Sequence, residues 1–227
     1  MTDGRDIPFA VPEKVTFTSD GAYVCLTVLI KDGSRESFKL TYDAYAESVK
    51  GKAELSPDDM ERLSSENAYC EALISALRSL SYGSNTSAEL YRKLIGKRFP
   101  KDEAMRAVKH LKRSGFIDEE EIAREEVSAC VAKLKGQSYV RSRILARGFG
   151  SKGRSEAERQ MLNVDFDEVC LECAKMKLRQ SKKRFSSEDP LPYEEKQRLI
   201  SQLIRSGHTY DSSRSAIERL TSDEDFF

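Results

Sequence analysis

Residues 111–118 read LKRSGFID, and a relative of that stretch, LIRSGHTY, returns at 203–210. Both hold Leu-x-Arg-Ser-Gly, 92 residues apart. Glycine is the usual residue just past a helix, because it enters the left-handed backbone region with no Cβ to clash. Both stretches are therefore predicted helix ends. Aligning helix ends rather than letters extends the pattern: LIGKRF (94–99), ILARGF (144–149) and LIRSGH (203–208) fall into register at intervals of 50 and 59 residues. On that alignment LKRSG closes a different helix of its unit, so the literal echo is partly coincidence while the repeat itself stands.

Each aligned end is followed by a short polar turn and an amphipathic helix. Those helices carry Val108 and Leu111, then Met161 and Leu162, then Ile217 and Leu220. A longer helix precedes each end, at about 66–81, 119–135 and 166–185. Three helices thus occur three times, and units that each bury a face against the next build a one-dimensional array. The predicted fold is mainly α: an elongated array of three three-helix repeats with a small N-terminal antiparallel β segment. The expected divisions are 1–55 for the β extension, 56–118 for a linker helix and the first repeat, 119–165 for the second and 166–227 for the third.

The β segment is legible in KVTFT (14–18), AYVCLTVLI (22–30) and RESFKLTY (35–42), rich in β-branched and aromatic residues. Asp20-Gly21 and Asp32-Gly33 separate these runs, and Asp-Gly between such runs signals a hairpin. Ser56-Pro57-Asp58-Asp59 then opens helical sequence with a capping Ser, an early Pro and acids against the positive end of the helix dipole. Thr86-Ser-Ala-Glu89 is a capping box. Asp118 and the three glutamates after it cap and load the first turn of another helix, so those acids have a structural reason and are not a metal or catalytic cluster.

Composition narrows the classes. Of 227 residues, 39% are hydrophobic and 33% charged, which suits a folded, polar-faced protein. The longest apolar runs, such as Val28-Leu29-Ile30, are too short to span a membrane. The N-terminus has acids and lacks the apolar stretch of a secretory signal, so a cytoplasmic location is expected. Five scattered cysteines, Cys25, Cys70, Cys130, Cys170 and Cys173, suggest reduced thiols rather than a disulfide framework. Cys170 and Cys173 form a lone C-x-x-C in a helical run; with Val169 and Met176 they read as an apolar stripe.

Enzyme signatures are absent. Gly148-Phe-Gly150-Ser-Lys-Gly153 matches G-x-G-x-x-G, but helical sequence rather than a strand feeds it, and nothing alternates in βαβ fashion; these glycines read as a joint between helices. His110 and His208 have no evident catalytic partner, and no paired-carboxylate logic appears. No cofactor or metal is expected.

Charge is balanced, 38 basic against 38 acidic, but zoned. Residues 127–155 hold seven basic side chains and no acid, and 173–187 hold six more with the nearest acid at Glu172. Acids gather in 1–65, 118–126 and the tail Asp223-Glu224-Asp225. Arg143 and Arg147 lie one helical turn apart, and Lys175, Arg179 and Lys182 share a face. The bland reading is a solvated face. The functional reading is a positive stripe for an elongated anionic partner, a nucleic acid or a protein filament wound on one. Tyr139 and Phe149 interleave with the cations at positions that favour a core role.

With these residues assembled, the chain resembles the RecX family of bacterial recombination regulators over about 66–220. The resemblance rests on Leu80-Ser-Tyr82 with Thr86-x-x-Glu89-Leu90 and Leu94. It continues through Leu111-x-x-x-Gly115-Phe-Ile-Asp118-Glu119 into Ile122-Ala123, then Gly136 with Arg143-x-Leu145-x-Arg147-Gly148. The N-terminal meander is similar to the β segment of longer members. Gly83, Asn85 and His208 depart from the family pattern. The resemblance implies a modulator of RecA that lies along filaments on single-stranded DNA, hinders their growth, and depresses strand exchange, ATP hydrolysis and coprotease activity, within recombination and SOS control. The expected contact surface is Arg141, Arg143, Arg147, Lys152, Lys175, Arg179, Lys182 and Lys183. The expected partners are the RecA filament and single-stranded DNA, with no membrane, and a monomer is expected. The alternatives are a stand-alone nucleic-acid-binding module and a helical scaffold.

Overall fold

The computed structural model describes residues 9–19, 21–182 and 191–222. Asp20 of the first predicted hairpin turn, Lys183, Arg184 and the acidic tail 223–225 lie outside the described residues. The chain divides into two compact units, Met1–Ile117 and Asp118–Phe227. The fold is mainly helical, with one small N-terminal sheet.

In the first unit, β1 (Ala10–Phe17), β2 (Val24–Ile30) and β3 (Arg35–Leu40) form an antiparallel meander in the order β1-β2-β3. The pairing of β1 with β2 shifts between Pro12 and Lys14. Glu13, left between them, accepts two hydrogen bonds from Arg35, at 2.6 and 2.8 Å. Strand alternation sends Leu26, Val28, Phe38 and Leu40 inward, where they meet Val49, Leu55, Met60 and Leu63.

Two features of this unit differ from the sequence reading. A helix, α1 (Tyr42–Ser48), is capped by Thr41 inside what the sequence reads as β extension. The predicted linker helix and the first long helix are one continuous element, α2 (Pro57–Ser81), 25 residues long. Ser56 and Asp59 close its N-terminus with a full capping box. Its first turns belong to the sheet core through Met60 and Leu63. Its later turns pack on α3 (Ser87–Gly96) and α4 (Lys101–Arg113), with Ala72, Leu73 and Ala76 buried. Asn67, between these stretches, accepts the Lys39 N–H at 2.8 Å and occupies a free donor of the edge strand.

The second unit holds α5 (Glu119–Ala132), α6 (Gln137–Arg147), α7 (Ser151–Leu162), α8 (Phe166–Lys182), α9 (Tyr193–Arg205) and α10 (Tyr210–Ser222). The pairs α2 with α4, α5 with α7, and α8 with α10 make the most extensive helix–helix contacts. Cys170 and Cys173 lie in the core of the last trio with Leu178, Leu199, Leu203 and Ile217. Met176 is half exposed and Leu162 is exposed, so neither extends the buried stripe predicted for it.

The aligned ends share one backbone solution. Arg98, Gly148 and Gly207 occupy the same aligned position, and all have positive φ: 68°, 73° and 95°. At two of them the following N–H reaches back to the buried leucine, Phe99 to Leu94 and His208 to Leu203, each at 3.2 Å. Gly115 (φ 76°) repeats the bond, Phe116 to Leu111 at 3.0 Å. This is the Schellman ending, which satisfies carbonyls that a helix terminus leaves over.

The Gly207 ending is pressed against another backbone, whereas the Gly115 ending is open. The α9–α10 joint lies on the α5–α6 joint. Gly136 N–H donates to the Ser206 carbonyl (3.0 Å), and Ser138 donates to Gly207 from its N–H (3.2 Å) and its hydroxyl (2.8 Å). A Cβ at Gly136 would sit 2.2 Å from the carbonyl carbon and oxygen of Gly207. His208, buried, donates its Nε2–H to the Leu134 carbonyl at 3.2 Å.

Candidate partner-binding surface

The cationic band begins on α6, an 11-residue helix whose Val140 and Ile144 are buried. That places Arg141, Arg143 and Arg147 toward its flanks, where acids from outside the acid-free window meet them. Arg141 binds Glu158 of α7 through two hydrogen bonds, 3.1 and 3.0 Å. Arg143 donates to Glu126 of α5 at 2.7 Å, and Arg147 holds the other oxygen of the same carboxylate. Burial pushes the Glu126 carboxyl up, but hydrogen bonds from Arg143 and Arg147 outweigh it and hold the group below its ordinary value.

These arginines are not equivalent. The Arg147 side chain is 13% exposed and its guanidinium lies 5.4 Å from the Phe149 ring centre, so it is largely committed to the fold. Arg143 is 52% exposed, and solvent screening leaves such a pair worth little. Lys152 is exposed in the first turn of α7. On α8, Lys175 pairs with Glu172 at 2.6 Å, and Arg179 is exposed. Lys182 is the last residue of α8. Lys183, the remaining member of the predicted set, lies outside the described residues. Phe149 is buried as expected, whereas Tyr139 is partly exposed beneath the Lys135 ammonium, 5.0 Å from its ring centre.

The glycine motif has a packing explanation. A Cβ on Gly153 would meet the Phe149 ring at 2.8 Å and the Glu119 carbonyl at 2.9 Å, so glycine lets α7 approach α5. The carboxylate of Glu119, itself buried, accepts the Gly150 N–H at 3.2 Å. An internal anion therefore sits at the start of α7, where a phosphate would have to bind.

The thiols are poorly disposed to act as nucleophiles. Burial pushes Cys70 and Cys170 each up to about 11, and raises Cys130 and Cys173 as well. His208 moves the other way: burial lowers its pKa, and Lys177 and Lys135 add to the effect against the Leu134 carbonyl. Among the described residues no cluster of His, Cys, Asp and Glu is arranged to hold a metal ion. No helix among them is long and apolar enough to cross a membrane.

Sequence reasoning missed a second cationic surface, in the first unit. Residues 90–101 hold Arg92, Lys93, Lys97, Arg98 and Lys101 with no acid, a signal as legible as the band on α6. Lys109 and Arg113 continue it along the exposed side of α4. Asn85, which departs from the family pattern, is buried: its amide donates to the Ser79 and Gly83 carbonyls and its oxygen receives Lys93 at 2.5 Å.

No family model matches the chain. Two curated relatives do, each named Regulatory protein RecX, from Clostridium perfringens strains SM101 and 13. Each is 23% identical over 192 residues, spanning 83% of this chain and 88% of the relative. Among solved structures, a crystal structure of regulatory protein RecX superposes with a TM-score of 0.69 at 18% identity, covering 94% of this chain and all of that one. The RecX crystal structure from Lactobacillus salivarius gives a TM-score of 0.56 at 19% identity, covering 69% of this chain and 98% of that one. The chain is thus similar to regulatory RecX proteins across most of its length, and it shares its fold with two RecX structures.

Proposed function

We propose that this protein is a regulator of the RecA recombinase: it binds RecA filaments on single-stranded DNA and restrains their growth, and with it strand exchange, ATP hydrolysis and coprotease activity. The observation that carries this reading is the match to regulatory RecX proteins over 83% of the chain. The surface supports it, because helices present cations beside one another while Cys70, Cys130, Cys170 and Cys173 are buried with raised pKa values, an arrangement suited to binding rather than chemistry. A cytoplasmic site of action follows from the same reading.

We read the helices in threes: 56–118 after the 1–55 extension, then 119–165 and 166–227. In each trio the first helix packs most heavily on the third, as α2 on α4, α5 on α7 and α8 on α10. The second helix is left at the side, and in the middle trio it is α6 that carries the band.

The filament-facing surface we assign is Arg141, Arg143, Lys152, Lys175, Arg179, Lys182 and Lys183, with Arg147 holding Glu126 and α6 in place. A carboxylate at position 147 would face Glu126 inside the fold, so Arg143→Glu with Lys152→Glu is the cleaner test of binding. RecA's ATP hydrolysis on single-stranded DNA, titrated with this protein from well below equimolar, is the decisive measurement. Inhibition at substoichiometric ratios is expected, with the paired variant weaker by about tenfold or more, about 1.4 kcal/mol. No effect at excess protein on confirmed filaments would overturn the reading.

A further inference from the structure

The exposed side of α4 differs from the band on α6 in one respect that bears on nucleic acid. A polyanion gains affinity from cations that release its counterions, and an arginine already bound to a carboxylate contributes less. On α6, Arg141 and Arg143 are paired with Glu158 and Glu126. On α4, Lys101, Lys109 and Arg113 are exposed, and no carboxylate among the described residues pairs with them. Arg98 joins them from the turn before α4, held there by its left-handed backbone (φ 68°).

Helical geometry places Lys109 and Arg113 on one face. The buried stripe of α4 is Ala104, Ala107, Val108 and Leu111. Lys109 and Arg113 lie away from it, one turn apart, while Lys101, exposed at the helix start, falls on the line of the stripe about 18 Å of helix axis before Arg113. Lys109, Arg113, Met105 and Asp102 line a hollow of about 450 Å³ beside Arg106 and Tyr69. The Arg106 guanidinium in its wall stacks 4.0 Å above the Tyr69 ring and donates to Glu66 at 2.5 Å. Asp102 is the single acid lining the hollow.

We propose that this face of α4, with Arg98, Lys101, Lys109 and Arg113, is a binding surface for the phosphate backbone of single-stranded nucleic acid. It deepens the regulator reading, and rests on it for the strand's identity, by naming where the strand itself is held apart from the recombinase. The exposed ammonium and guanidinium groups pair with successive phosphates, and the stacked Arg106 keeps the wall of the hollow in place.

The test uses the full chain and a fluorescently labelled oligothymidine, with no recombinase, followed by anisotropy over a salt series. Four phosphate contacts predict a slope of log affinity against log salt of about −3 for a single strand. Lys109→Gln with Arg113→Gln should halve that slope and weaken binding about tenfold or more at low salt. Arg98→Gln with Lys101→Gln, which leaves Lys109 and Arg113 untouched, should do the same. Arg141→Gln with Arg143→Gln should change the slope far less. Wild-type affinity and slope in both unit-one variants would overturn the proposal, as would failure of the native protein to bind the strand. Either result with RecA inhibition intact would leave the regulator reading standing. If the α4 variants bound DNA normally but lost inhibition, the face would be reassigned to an acidic protein surface, and the proposal would fall.

Discussion

Leu-x-Arg-Ser-Gly closes two helices of this molecule with the same backbone and very different surroundings. At 111–115 the turn stands open: an added Cβ on Gly115 would meet nothing within 4 Å, and Phe116 beyond it is 59% exposed. At 203–207 the same turn is sealed: a Cβ on Gly207 would sit 2.5 Å from the Tyr139 Cβ and 2.6 Å from its backbone nitrogen, and His208 beyond it is 5% exposed. One glycine is therefore required by conformation alone, the other by conformation and by contact. A local motif fixes the turn, and the neighbour decides how much rests on it.

Substitution separates the two requirements. Gly207→Ala should cost about 3 kcal/mol or more in denaturant unfolding, since both backbone strain and a backbone clash oppose it. Gly115→Ala, with strain alone, should cost about 1 kcal/mol. Equal costs would mean that the packed joint relaxes freely, and the contrast would fail.

The sealed turn also predicts a pH effect that the open one lacks. His208 has a folded-state pKa below its ordinary 6.5, so the unfolded chain takes up the proton first. Stability is then full above 6.5 and declines as pH falls below it toward the folded-state value. Thermal melts from pH 7.5 to 5.5 should show that decline, and His208→Gln should flatten it while lowering stability at pH 7.5. A slope unchanged in the variant would place the titration elsewhere.

Arg98 supplies the smallest effect. It adopts the left-handed backbone that glycine holds at the two aligned positions. Arg98→Gly exchanges relief of strain for a more flexible unfolded chain, and should raise stability by about 0.5 kcal/mol. A loss of stability would mean that the arginine side chain contributes to the turn as well.

The helix ends were legible because capping is local chemistry. Thr86 with Glu89, Ser56 with Asp59, and Asp118 on the N–H groups of Glu120 and Glu121 all occur as the residue types required. The family resemblance drew on the same grammar. The surface was less legible, because charge counted along a chain is not charge in space. The acid-free window 127–155 opens one residue after Glu126 and closes just before Glu156 and Glu158. Helices α5 and α7 flank α6 and return Glu126 and Glu158 to its arginines. Met176 and Leu162 failed for a related reason: both follow apolar helical spacing, yet they are 42% and 84% exposed.

Helix α2 is a common axle for two cores, the sheet core at Met60 and Leu63 and the helical trio from Ala72 to Ala76. Its phase therefore matters more than its composition. Inserting one residue near Asn67 would leave every buried side chain present, yet turn one core against the other by about 100°. Substitutions along its exposed side are tolerable; a change of length is not. The β extension is thus geared to the first helical trio, and neither can be re-phased without the other.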